Sequence, residues 1–321
     1  MEIKKPEIQS IEKIFTSFEN VKKEVSKVII GQDVIVNQLL MTIFSGGHSV
    51  LIGVPGLAKT LLVNTVARTI GLKFNRIQFT PDLMPSDIIG SEIIDENRNF
   101  KFVEGPIFGN IILADEINRT PPKTQSALLE AMQEHAVTVS GKTYNLDPPF
   151  FVLATQNPIE QEGTYPLPEA QLDRFMFSII VDYPNFNEEL DIVKRTTSMV
   201  NQKLNIVLTA EDIISFQKIL LQIPVTDTVY EYAINLVRKT RPNSEKSTED
   251  IRKYLDWGAG PRASQYLIIA AKINAVFSGK YSPDIEDVRA VAFNVLRHRL
   301  VKNYKAEAEG VTIEQIINNL F

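Results

Sequence analysis

The feature that most constrains the fold is a glycine-containing segment, residues 53–60, between a short apolar run and a stretch of helical periodicity. The apolar run, residues 49–53, has the length and composition of a buried strand, and residues 61–68 predict a helix. A strand, a glycine-rich loop and a helix N-terminus in this order form a cradle for the phosphates of a nucleotide. The sequence therefore predicts a nucleotide-binding α/β domain. The residues expected to contact the nucleotide are Gly53, Val54, Pro55, Gly56, Leu57, Ala58, Lys59, Thr60 and Leu61.

Two side chains at the end of this phosphate loop have predicted roles. Lys59 is expected to neutralise the β- and γ-phosphates and the Thr60 hydroxyl to coordinate magnesium, while backbone N–H groups face the phosphates. The residue before the lysine, usually a glycine, is Ala58. Because alanine cannot adopt every conformation open to glycine, we expect Ala58 to be tolerated only if it is already helical. The alternative is a chance glycine-rich turn, which the matching flanks disfavour.

A second apolar run, residues 110–114, ends in two carboxylates, Asp115 and Glu116. Successive side chains of a strand point to opposite sides, so the two acids can divide the work. Asp115 is expected to hold magnesium through its water shell, and Glu116 to orient and polarise the water that attacks the γ-phosphate. A strand that ends in Asp-Glu also occurs as a plain solvated strand end. Its combination with the phosphate loop favours the catalytic interpretation.

A third apolar run, residues 150–154, leads into polar residues that include Thr155 and Asn157. A parallel sheet places the carboxyl ends of its strands at the same edge. We therefore expect Asn157, with Thr155 as second choice, to reach the γ-phosphate or the attacking water. The alternative is an asparagine that caps the turn before Pro158. These residues alone leave both interpretations open.

Two arginines are candidates for contacts with phosphate. Arg174 precedes another apolar run, residues 175–181, and is a candidate finger for the site of a neighbouring subunit. Arg262 follows Gly260 and Pro261 at the start of a predicted helix, where a positive charge opposes the helix dipole unless an anion such as a γ-phosphate lies nearby. The alternatives are a surface ion pair for Arg174 and a solvated side chain for Arg262.

Five short apolar runs, separated by helical stretches, predict a parallel five-stranded sheet with flanking helices. Pairs of short strands at residues 91–103 and 136–146 predict two inserted β-hairpins. Thr120 is expected to cap the helix before the second hairpin. After residue 184 the strand patterns cease and helical patterns follow. We therefore predict an α/β domain over residues 1–184 and an all-helical domain over residues 185–321.

The composition excludes several classes of protein. The 321 residues include no cysteine, which rules out disulfides and cysteine-based zinc sites. Every apolar run is shorter than the roughly 18 residues of a membrane span, and the N-terminus lacks a secretory pattern, so we expect a cytoplasmic protein. The formal net charge of -5 disfavours nucleic acid as the main substrate.

Together these motifs resemble those of the MoxR family of AAA+ ATPases, over about residues 30–262. The segments that carry the resemblance are residues 31–32, 53–60, 114–123, 154–158 and 165–175. The resemblance implies an AAA+ fold with a helical lid domain, and ATP and Mg²⁺ as cofactors.

The resemblance also implies individual roles. Gly31 and Gln32 are expected to lie by the base. Asn157 is expected to act as the first sensor, Arg174 as the finger and Arg262 as the second sensor, in cis or in trans. Further implications are a hexameric ring with nucleotide between subunits, and hairpins that face the pore or the substrate. The resemblance also implies a chaperone-like action on a protein client, such as one with a von Willebrand factor A domain.

Two other functions remain open. A nucleic-acid motor is one, because related AAA+ branches include helicases, and it requires a basic pore. The other is a nucleotide-switched binding scaffold that hydrolyses too slowly to do work. The net charge disfavours the motor, and the acid pair together with Arg174 disfavours the scaffold.

Overall fold

The computed structural model describes residues 7–159, 163–197 and 202–321. These residues form two compact units. The sheet unit comprises residues 19–167 and 179–214, and the helical unit comprises residues up to 18, residues 168–178 and residues 215–321. The predicted domain boundary near residue 184 stays a prediction.

The strands and helices follow in chain order. The strands are β1 (Ser49–Ile52), β2 (Phe74–Gln78), β3 (Gly90–Ile94), β4 (Phe100–Glu104), β5 (Ile111–Asp115), β6 (Ala136–Val139), β7 (Lys142–Asn145), β8 (Phe151–Gln156), β9 (Phe177–Ile180), β10 (Leu255–Trp257) and β11 (Val301–Lys302). The helices are α1 (Ile8–Val25), α2 (Asp33–Ser45), α3 (Lys59–Thr69), α4 (Pro85–Ile89), α5 (Pro122–Glu134), α6 (Glu169–Leu172), α7 (Phe186–Thr196), α8 (Ala210–Leu221), α9 (Asp227–Lys239), α10 (Glu249–Tyr254), α11 (Pro261–Phe277), α12 (Ile285–Leu296), α13 (Tyr304–Ala308) and α14 (Ile313–Asn318).

A five-stranded sheet in the order β2-β5-β8-β1-β9 confirms the predicted parallel sheet. Parallel pairing joins β2 to β5, β5 to β8 and β8 to β1. Strand β5 is buried along its whole length, as expected of a strand covered on both faces. The order places β2, β5, β8 and β1 side by side. The residues that follow these strands therefore meet at one edge of the sheet.

Two antiparallel hairpins, β3–β4 and β6–β7, match the predicted insertions. They contact each other, because the rings of Phe102 and Tyr144 stack with their centroids 4.0 Å apart. In addition, Lys142 pairs with Glu92 at 3.3 Å. Phe100 at the turn of β3–β4 is 72% exposed. The two hairpins thus pack together and present an apolar side chain to solvent.

The predicted capping role of Thr120 is wrong. Helix α5 begins at Pro122 with Pro121 as its N-cap and without a side-chain capping bond. The Thr120 hydroxyl is buried and donates to the Ile117 carbonyl at 3.2 Å. Because proline fixes its backbone angle at a helical value, Pro122 can start the first turn without a capping hydroxyl.

The C-terminal part of the chain is helical, as predicted, with one addition. The strands β10 and β11 form a short antiparallel pair among the helices. Helix α11 packs against α9 and α12, and it begins at Pro261 after Gly260, as predicted. Among the described residues, none of the helices combines the length and the apolar character needed to cross a bilayer.

Candidate active site

A cavity of about 500 Å³ lies at the carboxyl ends of β1, β2, β5 and β8. It brings together the phosphate loop, both acids and both polar residues predicted after β8. It also includes two side chains of β2 that sequence reasoning missed. The lining residues are Pro55, Gly56, Leu57, Ala58, Lys59, Thr60, Leu61, Arg76, Gln78, Asp115, Glu116, Thr155 and Asn157.

The phosphate loop departs from expectation at Ala58. This residue has φ 55° and ψ 24°, which is left-handed, and it precedes helix α3. The condition that Ala58 be helical is therefore not met. A left-handed backbone costs an alanine about 1 kcal/mol because its Cβ approaches the carbonyl oxygen. At the start of the loop, a Cβ on Gly53 would lie 2.5 Å from the Val181 carbonyl oxygen, so this position has room only for glycine.

The N-terminus of α3 faces the cavity with free donor capacity. The first hydrogen bond of the helix runs from Leu62 N to Ala58 O at 2.9 Å. The N–H groups of residues 59–61 therefore have no carbonyl partner within their own helix. Such groups, together with the positive end of the helix dipole, bind anions. This arrangement fits the phosphates of a nucleotide.

The Lys59 ammonium lies inside the loop. It donates to Gly53 O and to Val54 O, the latter at 3.1 Å. Burial lowers the pKa of Lys59, and the nearby charges of Asp115 and Glu116 act in the opposite direction. The side chain thus places a cation between the loop and the two acids, as required for a phosphate-binding lysine.

Thr155 holds both acids in place. Its hydroxyl donates to Asp115 Oδ1 at 2.6 Å and accepts a hydrogen bond from Glu116 N at 2.8 Å. Thr155 is almost fully buried, so the hydroxyl has little access to solvent. Its predicted second-choice contact with phosphate remains a prediction. In this structure its hydroxyl positions the acids.

The two acids differ in backbone conformation. Strand β5 ends at Asp115, and Glu116 has φ 58° and ψ 49°, a left-handed conformation. The expectation that both acids occupy successive strand positions is therefore wrong for Glu116. A non-glycine residue in this conformation is strained, and such strain persists only where the surrounding structure holds it. The hydrogen bond from Glu116 N to Thr155 supplies part of that hold.

The two missed residues, Arg76 and Gln78, contact one acid each. Arg76 Nη2 lies 2.7 Å from Asp115 Oδ2, and Gln78 Nε2 donates to Glu116 Oε2 at 2.8 Å. Arg119 also donates to Glu116 Oε2, at 3.0 Å. The sequence carried a partial signal: residues 76 and 78 are polar at alternate positions of β2, which places both side chains on one face.

Asn157 caps a turn, which is one of the two interpretations that the sequence left open. It lines the cavity and is nearly buried. Its Oδ1 also accepts a hydrogen bond from Ile159 N at 3.2 Å, which caps the turn around Pro158. The amide is thereby oriented at the edge of the cavity. Its role as a sensor stays a prediction.

Gly31 and Gln32 contact other parts of the sheet unit. Gln32 Nε2 donates to the Leu57 carbonyl of the phosphate loop at 3.3 Å. Gly31 has φ 70°, and a Cβ at this position would lie 2.3 Å from the side chain of Glu188 in α7. Gly31 therefore allows a close approach between the segment before α2 and α7. The predicted contact of both residues with a base is not tested by these distances.

Arg174 and Arg262 belong to the helical unit. Arg262 Nη1 donates to Asp173 Oδ2 at 3.1 Å, and Arg299 Nε donates to Asp173 Oδ1 at 2.7 Å. The Arg174 carbonyl lies 3.4 Å from the Tyr266 hydroxyl, which donates to it. Arg262 opposes the dipole of α11 and so needs an anion nearby. In this structure the Asp173 carboxylate is that anion. The predicted finger and sensor roles stay predictions.

The oxygen donors of the cavity fit a magnesium ion. The described residues contain no group of three or more His, Cys, Asp or Glu side chains that could hold a metal. Magnesium, however, takes few protein ligands at nucleotide sites, because phosphate and water oxygens complete its shell. The Thr60 hydroxyl and the Asp115 carboxylate are oxygen donors of the kind it prefers.

Comparisons with known proteins agree with this geometry. Residues 48–177 match the ATPase family associated with various cellular activities (AAA), and residues 248–320 match the AAA lid domain. The chain is 46% identical to Chaperone MoxR1 of Mycobacterium tuberculosis, over 92% of this chain and 79% of the relative. It is 29% identical to Protein MoxR of Methylorubrum extorquens, over 87% of this chain and 86% of the relative.

A solved structure is also similar over almost the whole chain. The crystal structure of a candidate ATPase from Cytophaga hutchinsonii aligns with a TM-score of 0.92 and 46% identity, over 97% of this chain and 95% of that chain. The sheet with its phosphate loop and the helical lid are the two parts of an AAA+ ATPase. The resemblance predicted from the motifs is confirmed, and the chain belongs to the MoxR family of AAA+ ATPases.

Proposed function

We propose that this ATPase hydrolyses ATP in the cavity at the end of the sheet, with Glu116 polarising the attacking water and Lys59 binding the β- and γ-phosphates. The observation that carries the proposal is the placement of Lys59, Asp115 and Glu116 around one cavity, with Thr155 bonded to both acids. Phosphoryl transfer needs mainly positioned charges and an oriented water. These side chains supply both.

Glu116 is suited to act on water. Its Oε2 accepts hydrogen bonds from Gln78 and Arg119, which fix the direction of the carboxylate. A carboxylate held in this way can accept a proton from water at the γ-phosphate. Asn157, with its amide at the edge of the same cavity, is positioned to contact that water or the γ-phosphate.

Thr60 and Asp115 are the residues that we expect to hold magnesium, Asp115 through water. When bound, the ion neutralises charge on the β- and γ-phosphate oxygens. Asp115 can serve this purpose because Thr155 holds one of its oxygens in place.

The substitution Glu116→Gln tests the proposed chemistry. It keeps the shape of the side chain but removes the base, so turnover should fall by a factor of at least ~100, whereas the affinity for ATP should stay within about threefold. Steady-state phosphate release and the binding of a fluorescent ATP analogue measure the two quantities. Glu130→Gln, at an exposed position of α5, is the matched control and should leave both unchanged. Normal turnover of Glu116→Gln would remove Glu116 from its role.

We also propose that the active unit is an interface in a hexameric ring, where Arg174 of one subunit acts as the finger and Arg262 as the second sensor. The proposal is supported by membership of the MoxR family of AAA+ ATPases. An arginine finger stabilises transition-state charge and contributes ~10³-fold or more to turnover. Arg174→Ala should therefore lose turnover but retain binding of ATP. In a mixture of Arg174→Ala and Glu116→Gln subunits, an interface can combine Glu116 of the first variant with Arg174 of the second. The mixture should therefore regain some turnover if the site lies between subunits, and none if each subunit works alone.

The biological output that we propose is chaperone-like remodelling or maturation of a protein client. The relative from Mycobacterium tuberculosis is named as a chaperone. A protein with a von Willebrand factor A domain is the client class implied by the family. Capture of one such protein by Glu116→Gln in ATP, with no capture by Lys59→Met, would support this output. Equal capture by both variants would argue against it.

A further inference from the structure

Arg76 occupies the oxygen of Asp115 that Thr155 leaves open. Its Nε and Nη2 lie 2.9 and 2.7 Å from Asp115 Oδ2. Thr155 binds the other oxygen, Oδ1, at 2.6 Å. Each oxygen of the carboxylate therefore has its own partner. The negative charge of Asp115 is paired with a cation supplied by the chain itself.

The position of Arg76 in the sheet gives its side chain freedom to move. It lies on β2, which is one of the two edge strands of the sheet, and its side chain is 46% exposed. The contacts that hold the guanidinium are polar: besides Asp115, Nη2 donates to Gln78 Oε1. Half-exposed polar contacts of this kind are weak and easily exchanged. The guanidinium can therefore leave Asp115 without breaking the core.

We propose that Arg76 is a positioning residue that acts as the built-in counter-cation of Asp115 and competes there with the divalent metal of the nucleotide complex. The inference rests on the proposed function, in which Asp115 is the carboxylate on the metal side. A guanidinium and a hydrated divalent ion at the same carboxylate repel each other. Arg76 thus raises the concentration of Mg²⁺ at which the nucleotide complex forms, and it keeps Asp115 oriented until then.

The size of the effect follows from the charges. A single positive charge a few ångströms from a divalent ion, in the partly screened environment of an open cavity, changes the affinity for the ion by roughly tenfold. The competing explanation is that Arg76 binds the phosphates directly. That explanation predicts weaker binding of nucleotide at every concentration of Mg²⁺, because a phosphate ligand is lost.

The experiment measures binding of a fluorescent ATP analogue as Mg²⁺ is titrated, and separately in EDTA. In Arg76→Gln the half-saturating Mg²⁺ concentration should fall by roughly tenfold, while affinity in EDTA stays within about threefold of wild type. Arg76→Lys, which keeps the charge, should stay close to wild type. Lys73→Gln is the matched control, because it removes a positive charge from an exposed position directly before β2, outside the cavity, and should not shift the Mg²⁺ requirement.

An unchanged Mg²⁺ requirement in Arg76→Gln would overturn the inference, and so would an equal shift in Lys73→Gln or weaker binding of Arg76→Gln in EDTA. Arg76→Met, with a similar length but no polar head, should shift the requirement like Arg76→Gln. It serves as the test if thermal melting shows that Arg76→Gln is not folded. Asp115→Asn separates the two proposals. If Asp115→Asn requires the same concentration of Mg²⁺ for nucleotide binding as the wild type, the proposed role of Asp115 in metal binding is wrong. This conclusion does not depend on the result for the Arg76 variants.

Discussion

Charged side chains have opposite surroundings in the two units of the molecule. In the sheet unit, Lys59, Asp115 and Glu116 line one cavity of about 500 Å³. In the helical unit, Asp173 accepts hydrogen bonds from both Arg262 and Arg299, and the Arg299 side chain is only 2% exposed. Both groups have partners supplied by the protein. The first group, however, surrounds the cavity in which we propose that the nucleotide binds, whereas Arg299 of the second group is buried.

This difference separates ligand binding from stability. A charge that lines a cavity contributes to the affinity for what enters it, whereas a buried charge with internal partners is costly to leave unpaired. Substitutions in the sheet-unit cavity should therefore change nucleotide binding and leave the free energy of unfolding nearly unchanged. Substitutions of Arg299 should lower the free energy of unfolding and leave nucleotide binding nearly unchanged.

Arg262 shares features of both groups. Its side chain is 43% exposed, yet its guanidinium already has an anion, Asp173, at 3.1 Å. A role as second sensor therefore requires Arg262 to exchange the Asp173 carboxylate for a phosphate. Arg299 can keep Asp173 neutralised during such an exchange, because it binds the other carboxylate oxygen.

The largest effect on stability is expected for Arg299→Met. Burial lowers the pKa of the Arg299 guanidinium, and the charge of Asp173 opposes this shift. The side chain also donates to the carbonyls of Asp173, Phe175 and Met176. Its loss removes a buried donor from these carbonyls and leaves Asp173 with Arg262 as its charged partner. The free energy of unfolding should therefore fall by about 4 kcal/mol in urea denaturation.

Arg262→Met is the matched comparison for Arg299→Met. It removes the other partner of Asp173 from a half-exposed position, so the loss should be at most about 1 kcal/mol. Equal losses in the two variants would contradict the distinction between a buried and an exposed partner.

Lys59→Met should show the opposite pattern. The ammonium is expected to bind two phosphates, so the affinity for ATP should fall about a hundredfold, or about 3 kcal/mol. The free energy of unfolding should change by less than about 1 kcal/mol, because the partners lost are two loop carbonyls at the edge of a cavity. Isothermal titration and urea denaturation measure the two quantities on the same samples. A large fall in the free energy of unfolding with unchanged affinity for ATP would contradict the distinction between charges that bind ligand and charges that stabilise the fold.

A buried histidine of the sheet unit should make stability depend on pH. His48 Nδ1 accepts from Val152 N at 3.0 Å and Nε2 contacts Met132 O at 3.2 Å, which requires a neutral ring with the proton on Nε2. Burial lowers its pKa to about 4. Between pH 6.5 and about 4 the unfolded state binds more protons at His48 than the folded state does. The contribution of His48 to the free energy of unfolding is therefore complete above pH 6.5 and is lost as the pH falls towards about 4.

The expected loss from pH 7 to pH 5 is about 2 kcal/mol from His48 alone. His48→Gln, which retains one donor and one acceptor but does not titrate, should flatten the curve by that amount in urea denaturation at each pH. His135→Gln, at an exposed position beside His48, should change the slope less than His48→Gln, because the charge of His135 lowers the His48 pKa less than burial does. Burial also lowers the pKa of His298 in the helical unit, so a residual slope should remain in His48→Gln. A slope identical to wild type would show that His48 is not the titrating group.

Local patterns were enough to predict the five-stranded sheet, the two hairpins and the main candidate residues, although not the short pair β10–β11. The phosphate loop, Asp115 and Asn157 each follow a short apolar run, and the parallel sheet then brings the ends of those runs together. The hairpins were predictable for the same reason, because alternation and turn residues act over a few positions.

The missed features depend on contacts between distant segments. Arg76 and Gln78 matter because β2 pairs with β5 in a register that sets Gln78 opposite Asp115. No local pattern specifies that register. The hydroxyl of Thr155 contacts the Asp115 carboxylate and the Glu116 backbone N–H because β8 is the neighbour of β5 in the sheet. The left-handed backbone of Glu116 is likewise held by the bond to Thr155, and so it could not be derived from the residues around Glu116.

The smallest effect on stability is expected for a substitution of Ala58, which lines the cavity. Its left-handed backbone is unfavourable for alanine and neutral for glycine. Ala58→Gly should therefore stabilise the fold by up to about 1 kcal/mol, although the greater freedom of glycine in the unfolded chain offsets part of the gain. Ala308→Gly, at an exposed helical position of α13, is the matched control and should destabilise the fold by several tenths of a kcal/mol. Opposite signs for the same substitution, measured by thermal melting, would establish that Ala58 is strained. Destabilisation by both would show that the loop can hold alanine without strain, and that this part of the cavity is no more constrained than an ordinary helix.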